Sequence, residues 1–360
     1  MRVLAFPKYG SLAASTRQRF MQFEPGLAEA GISVDYSPLL DNDHLRRLVK
    51  GRRASPFAVG RAYGSRAAKL LDAKSYDLLW LGYEFFPYLP GFIEAWSARI
   101  AATPFVLDYD DAIFHMYDRA RSPIVRLALG KKLSPLMRRA ALCICGNEYV
   151  RDYAAEFSDN TVVVPTVVDT DIYRPIRRTP ERPVTVGWIG SPSTWNYVRP
   201  LLPVLARLCE TRDVRVLVVG AGDAAENDRF PGLDLAEWSE EAEVELVQSM
   251  DIGIMPLTDD PWARGKSGYK LVQYLACGLP VVASPVGANA NIVTEEAGFL
   301  ATDLGDWQDR LEILIASADL RRRMGERGRE RAVADYSLAA YGPVVVELLK
   351  SAGLGSASRR

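Results

Sequence analysis

The chain has 360 residues, 48% of them hydrophobic and 25% charged, with a formal net charge of −1. That length suits about two domains of ordinary size, each burying its own core. The composition is that of a soluble globular protein, and no apolar run approaches the ~18 residues needed to cross a bilayer. The N-terminus opens directly on the strand-like Met1-Arg-Val-Leu-Ala-Phe6, without a signal-peptide pattern. A helix is expected over residues 17–30, bent at Pro25 and ended by Gly31. Further strands read at 32–36, Leu78–Gly82, 105–107, Leu142–Cys145 and 162–164, with a helix over 124–140. The pattern then restarts with strands at Val184–Ile189, Val214–Val219, Ile252–Met255, 281–284 and 298–301, separated by helices. Short apolar strands alternating with helices indicate parallel sheets covered on both faces.

These elements divide into an N-terminal domain over 1–170, a linker at 171–183 carrying Pro175, Pro180 and Pro183, and a second domain over 184–336. A last helix at 337–351 is expected to pack back on the first domain, ahead of a tail at 352–360. Two doubly wound sheets joined this way place ligands in a central cleft, outside their strand C-terminal ends. The net charge hides an asymmetry. Residues 1–150 carry 21 Lys and Arg against 14 Asp and Glu, whereas residues 151–360 carry 23 against 31. Residues 46–69 hold eight cations and no acid, and residues 119–139 seven more. Such runs are either solvated helix faces or a basic surface for anionic lipid; no nucleic-acid motif accompanies them.

Four cysteines at 143, 145, 209 and 277 lack metal-ligand spacing and read as reduced thiols of a cytoplasmic protein. With only His44 and His115, a histidine-rich metal site is excluded. Val219-Gly-Ala-Gly222 lacks the third glycine and the downstream acid of a dinucleotide fingerprint, and reads as a tight turn.

The most informative stretch is Arg264-Gly-Lys-Ser-Gly-Tyr-Lys-Leu-Val-Gln-Tyr-Leu-Ala-Cys-Gly-Leu-Pro-Val-Val. A glycine-containing loop with Arg264, Lys266 and Lys270 precedes a helix, and free backbone amides with cations at such a terminus suit a diphosphate. Val186-Gly-Trp-Ile-Gly-Ser-Pro-Ser-Thr194, Trp238 ahead of Glu243, Asp251-Ile-Gly-Ile-Met-Pro256, Trp307 and Asp335-Tyr-Ser337 stand around it in order. The series resembles the nucleotide-sugar domain of retaining GT-B glycosyltransferases, specifically glycosyltransferase family 4.

The resemblance implies an α/β fold of GT-B type, two Rossmann-like doubly wound domains, and transfer of a sugar from a UDP- or GDP-linked donor with retention. It places Gly190, Ser191 and Gly10 beside the donor and Trp238 beside the base. Lys266 and Arg264 hold the diphosphate, with Ser267, Gly268, Tyr269 and Lys270 completing the loop. The family's Glu-x7-Glu acids are absent, their positions being Gly265 and Gln273; Gln273 can still bond ribose hydroxyls. The chain therefore resembles a divergent branch.

In the first domain, Phe105-Val-Leu-Asp-Tyr-Asp-Asp-Ala-Ile-Phe114 sets Asp108, Asp110 and Asp111 at a strand end. Asp-x-Asp is a metal motif in another glycosyltransferase fold, but cations already serve the diphosphate here, so neither a metal nor another cofactor is expected. Asp110 and Asp111 are candidates to assist acceptor deprotonation, or to cap a helix starting near Ala112. Arg19, Glu84, Asp108 and His115 are further acceptor-side candidates, each with a structural alternative. The acceptor is lipid-linked, a glycan or a small soluble molecule. The alternatives to transfer are a catalytically silent nucleotide-sugar-binding subunit and a nucleotide-sugar epimerase.

Overall fold

The computed structural model describes residues 1–49, 55–176 and 183–354. Lys50, Arg52 and Arg53 of the first basic run, residues 177–182 of the linker expected at 171–183 and the end of the tail lie outside the described residues. Two compact units are present. The first is Met1–Thr166 with Gly265–Ser267 and the chain from Tyr341 onward; the second is Val167–Arg264 with Gly268–Ala340.

The first unit contains β1 (Arg2–Phe6), β2 (Ser33–Tyr36), β3 (Leu78–Gly82), β4 (Phe105–Tyr109), β5 (Leu142–Cys145) and β6 (Thr161–Val163). All pair in parallel, in the order β2-β1-β3-β4-β5-β6. Helices cover both faces of a parallel sheet, so its inner strands read as unbroken apolar runs. Leu-Leu-Trp-Leu-Gly of β3 is buried throughout, while the edge strand β2, Ser-Val-Asp-Tyr, alternates in exposure. The strand order reverses between β1 and β3, and Gly82 at the end of β3 stands beside Asp108 of β4.

Two expected helices are divided. Residues 17–30 form a helix at Ala14–Arg19, a tight turn at Met21–Phe23 and a second helix at Glu24–Glu29. Pro25 sits in the first turn of that second helix, where its missing N–H leaves no bond unmade, so it starts a helix rather than bending one. Residues 124–140 likewise separate into Pro123–Leu129 and Ser134–Met137, each with a proline in its first turn.

The second unit contains β7 (Val184–Ile189), β8 (Val214–Val219), β9 (Leu233–Ala236), β10 (Ile252–Met255), β11 (Val281–Ala283) and β12 (Gly298–Leu300). The order β12-β11-β10-β7-β8-β9 is the dinucleotide-fold order read from one edge, with its reversal between β7 and β10. The edge strand β9, Leu-Asp-Leu-Ala, was not apparent in the sequence because it is short and interrupted by Asp234. Gly220 and Gly222 both adopt positive φ after β8, and a short 3-10 turn at Gly222–Ala224 follows.

Candidate functional site

In the second unit, ligand-facing loops belong where the order reverses, at the ends of β7 and β10. Gly190 follows β7 and lies against Trp188; a Cβ there would come within 2.3 Å of the indole. Ser191 then opens the turn Pro192–Tyr197 through a reciprocal capping box with Thr194. The helix Tyr269–Ala276 starts at Gly268, whose φ of 69° is left-handed and natural only to glycine. The first-turn amides of an α-helix have no intrahelical acceptor, which is why helix starts can bind anions. Lys270 Nζ stands 5.8 Å from the Trp188 ring centroid, which brings this cation to the β7 end beside Gly190.

The helix is fixed along its length. The Tyr274 hydroxyl accepts the Ile189 N–H at 3.0 Å. Arg329 donates to the Ala276 carbonyl at 2.8 Å and to that of Thr170 at 2.7 Å, placing a cation at the helix C-terminus. Such anchoring holds the N-terminal amides in place before any ligand arrives.

Arg264, expected to hold diphosphate, makes a two-pronged pair with Asp259 at 2.6 and 3.0 Å. The bonded guanidinium draws the Asp259 carboxyl below its usual range. An anion bound at Arg264 has to share it with this aspartate. Gln273 is buried and spends its amide N–H groups on Glu243 Oε1 at 2.6 Å and on the Tyr173 hydroxyl at 3.0 Å. Tyr173 also donates to Glu243, and burial, with the charges of Tyr269 and Glu243, holds its proton far above the ordinary phenol range. The amide donor expected to serve ribose therefore satisfies the protein instead. Trp238 donates its Nε1–H to the other Glu243 oxygen and remains 37% exposed beside the Gly220 turn, a platform suited to stacking.

In the first unit, the β1–β3 reversal holds a cavity of about 10 Å³, space for roughly one water. Lys8, Thr16, Arg19, Tyr83, Asp108 and Asp110 line it. Arg19 Nε bonds Asp108 Oδ1 at 2.8 Å, its Nη1 reaches the Val164 carbonyl at 2.8 Å, and Trp80 donates to the other Asp108 oxygen at 3.2 Å. Burial pushes the Asp108 carboxyl up, against the opposing pull of Arg19. Arg19 and Asp108 thus form a buried pair joining the helix Ala14–Arg19 to β4, neither surface charge nor exposed acceptor groups.

Glu84 and His115 are corrected in the same way. Glu84 is buried, paired with Lys132 and accepting the Tyr117 hydroxyl. His115 is buried between Asp118 at 2.8 Å and the Tyr149 hydroxyl at 2.9 Å. Asp110 and Asp111 do not cap a helix at Ala112: the helix begins at His115, and Phe114 before it offers no side-chain cap. Asp110 instead accepts the Tyr83 hydroxyl. Tyr83 has a φ of 69°, a strained value for a non-glycine residue and of the kind that collects at functional sites. Burial, with the charges of Asp110 and Asp111, raises its phenol well above the usual range, so it stays a donor.

Gly10 is also tethered. Its N–H donates to Leu40 at 2.9 Å, and a Cβ would meet Asn42 Oδ1 at 2.3 Å. The segment Gly265–Ser267 belongs to this unit, where Asn147 Nδ2 donates to the Lys266 carbonyl at 3.0 Å. A side chain at Gly265 is impossible as packed, because its Cβ would lie 2.1 Å from that of Ala112. As packed, Ala112 leaves no room for a carboxylate at position 265, and the Gly265 backbone lies against Ala112. No group of three or more His, Cys, Asp or Glu side chains among the described residues has the geometry to hold a metal ion.

Residues 183–317 match the family described as Glycosyl transferases group 1. The phosphatidyl-myo-inositol mannosyltransferase of Propionibacterium freudenreichii subsp. shermanii is 34% identical over 154 residues, which cover 41% of this chain and 38% of that protein. Among solved structures, the sucrose-phosphate synthase of Thermosynechococcus elongatus superposes with a TM-score of 0.74 at 17% identity, covering 99% of this chain and 100% of that one. The fold is that of the GT-B glycosyltransferases. Anabaena HepE, solved with UDP-glucose, is likewise similar at a TM-score of 0.72 and 16% identity, over 98% of this chain and 100% of its own. The match to the Glycosyl transferases group 1 model lies almost wholly in the second unit, while the likeness in fold extends through both. Within this GT-B chain, sequence reasoning missed Tyr83, Tyr173, Asp259 and Lys132. Tyr83, Tyr173 and Lys132 act through a partner distant in sequence or through a strained backbone, neither of which a local pattern displays, whereas Asp259 lies only five residues from its partner Arg264.

Proposed function

We propose that this chain is a glycosyltransferase that moves a sugar from a nucleotide diphosphate sugar to an acceptor hydroxyl, with retention and without a metal. The observation that carries the proposal is the meeting of Lys270, Trp188 and Gly190 at the β7 end with the helix that starts at Gly268. Lys266, Lys270 and the amides of Ser267–Tyr269 stabilise the leaving diphosphate by fixed electrostatics. Trp238 borders the base. Asp110, polarised by Tyr83, takes the acceptor side, with Asp111 next to it. Asp108 and Asp110 are engaged by Arg19 and Tyr83, which favours cations rather than a divalent ion at the diphosphate.

The acceptor is assigned to a lipid-linked or surface-glycan class, reached from the cytoplasmic face by the basic first half of the chain. The relative named for mannosyl transfer to a phosphatidyl-inositol lipid supports that class. A thermal-shift panel of UDP- and GDP-sugars, followed by an assay of nucleoside diphosphate release, tests the reading. Stabilisation by one donor together with release of its diphosphate supports it; no stabilisation by any donor contradicts it. One specific observation favours a second reading, a silent binding subunit: both family acids are replaced, at Gly265 and Gln273. That reading expects donor binding with neither hydrolysis nor transfer to any acceptor.

A further inference from the structure

The helix Gly91–Ala101 is inverted in polarity. It buries Glu94, Ser97 and Ala98 against the first unit's core and turns Phe92 and Trp96, one helical turn apart, to solvent at 69% and 61% exposure. An ordinary surface helix buries its apolar stripe and exposes its charges. Here the buried glutamate accepts the Phe85 and Phe86 amides and faces Lys132 at 3.4 Å, so the inversion is built in by specific bonds. The helix Pro123–Leu129 also turns apolar side chains outward: Leu129 is buried, whereas Ile124 and Leu127 are 77% and 91% exposed.

The two helices are linked through the segments that follow and precede the second one. A Cβ at Gly91 would stand 3.0 Å from the Lys132 backbone, shortly after the second helix ends. Tyr88, itself exposed, packs edge-on against Tyr117 of the helix that contacts Pro123–Leu129. Exposed Arg99 follows Trp96 by three residues on the first helix, exposed Arg121 and Lys131 flank the second, and the sequence from Arg119 to Asn147 holds no acid.

We infer that this face of the first unit inserts Phe92, Trp96, Ile124 and Leu127 into the interface of an anionic lipid bilayer, with the flanking cations on the headgroups. Aromatic and aliphatic side chains framed by Arg and Lys suit that boundary, where the rings enter the acyl edge and the cations meet lipid phosphate. A second copy of the chain is the poorer occupant, since two such faces would oppose Arg99, Arg121 and Lys131 to their own counterparts. The inference gives a site to the lipid-linked acceptor class, and in that respect rests on the function proposed above.

Co-sedimentation of the full chain with vesicles of phosphatidylcholine alone, and of phosphatidylcholine mixed with phosphatidylglycerol, tests it. The chain should sediment with the mixed vesicles only, and Phe92→Ser/Trp96→Ser should weaken binding by about ten-fold or more with the melting temperature preserved. Arg121→Glu/Lys131→Glu should weaken it as well and reduce its salt dependence. Binding that is unchanged by the Phe92/Trp96 pair, or absent from both vesicle types, overturns the inference. So does a dimer in solution that the same pair dissociates. Diphosphate release from a soluble donor, measured on the same variants, should stay at the wild-type level. Loss of transfer activity in the wild type with vesicle binding intact would count against the proposed function alone.

Discussion

Gln273 Nε2 lies 2.6 Å from Glu243 Oε1, so the residue that replaces a family carboxylate is a donor to another carboxylate. Glutamate at 273 would set two acids side by side in a buried site, and at least one of them would have to be neutral. Gln273→Glu should therefore destabilise the second unit by roughly 1–3 kcal/mol. The reciprocal exchange Glu243→Gln/Gln273→Glu should recover much of that loss, because it keeps one amide and one carboxylate in contact. Urea denaturation of the three variants measures the coupling. Additive losses in the double variant would show that the pair is not the reason for the glutamine.

Asp110→Asn should lower the transfer rate on the order of 10²-fold while leaving the melting temperature unchanged, since asparagine can still accept the Tyr83 hydroxyl. Matching losses of rate and stability would instead assign Asp110 to the architecture of the β4 end. In the same assay EDTA should have no effect. Activity abolished by EDTA and restored by Mg²⁺ would return the carboxylates to a metal.

Glu94 supplies a pH dependence. Burial, opposed by Lys132, pushes its carboxyl up to about 7 from 4.5. The native state therefore keeps a proton that the unfolded chain releases, and stability falls as pH rises through that window. A shift of this size corresponds to roughly 3 kcal/mol across the window. Denaturation midpoints in acidic and neutral buffers should show the decline, and Glu94→Gln should flatten it. A decline equally steep in the variant would place its origin elsewhere.

Arg264→Ala should reduce turnover less than the corresponding change at Lys266. Arg264 already shares its guanidinium with Asp259, so only part of its charge is available to a ligand. Asp259→Ala should strengthen donor binding, read as a lower KM; an unchanged or higher KM would remove the competition from the argument.

The parallel sheets were legible because a strand buried on both faces has to be apolar throughout, as Leu-Leu-Trp-Leu-Gly of β3 and Val-Arg-Val-Leu-Val-Val of β8 nearly are. The short β9, interrupted by Asp234, carries no such signature. The loop-helix from Arg264 to Ala276 was legible from its glycines and cations. The burial of Arg19, Glu84 and Asp108 was not, because each of these charges is buried against a partner far along the chain, and His115 is held partly by Tyr149, 34 residues on. Asp108 is 89 residues from Arg19, and Glu84 is 48 from Lys132. The vacant acid position at 265 likewise depends on Ala112, which no local pattern connects to it.

The central claim is that cations of the glycine loop stabilise the diphosphate leaving group, and Lys266 is its most direct test. Steady-state transfer, or donor hydrolysis, should be compared between wild type and Lys266→Ala with the donor that gives the largest thermal shift. Loss of a charge-assisted contact made to the departing diphosphate should cost on the order of 2–4 kcal/mol in the transition state. That corresponds to a fall in kcat/KM of about 30- to 1,000-fold with the melting temperature retained. An unchanged kcat/KM in a folded Lys266→Ala protein would contradict the account.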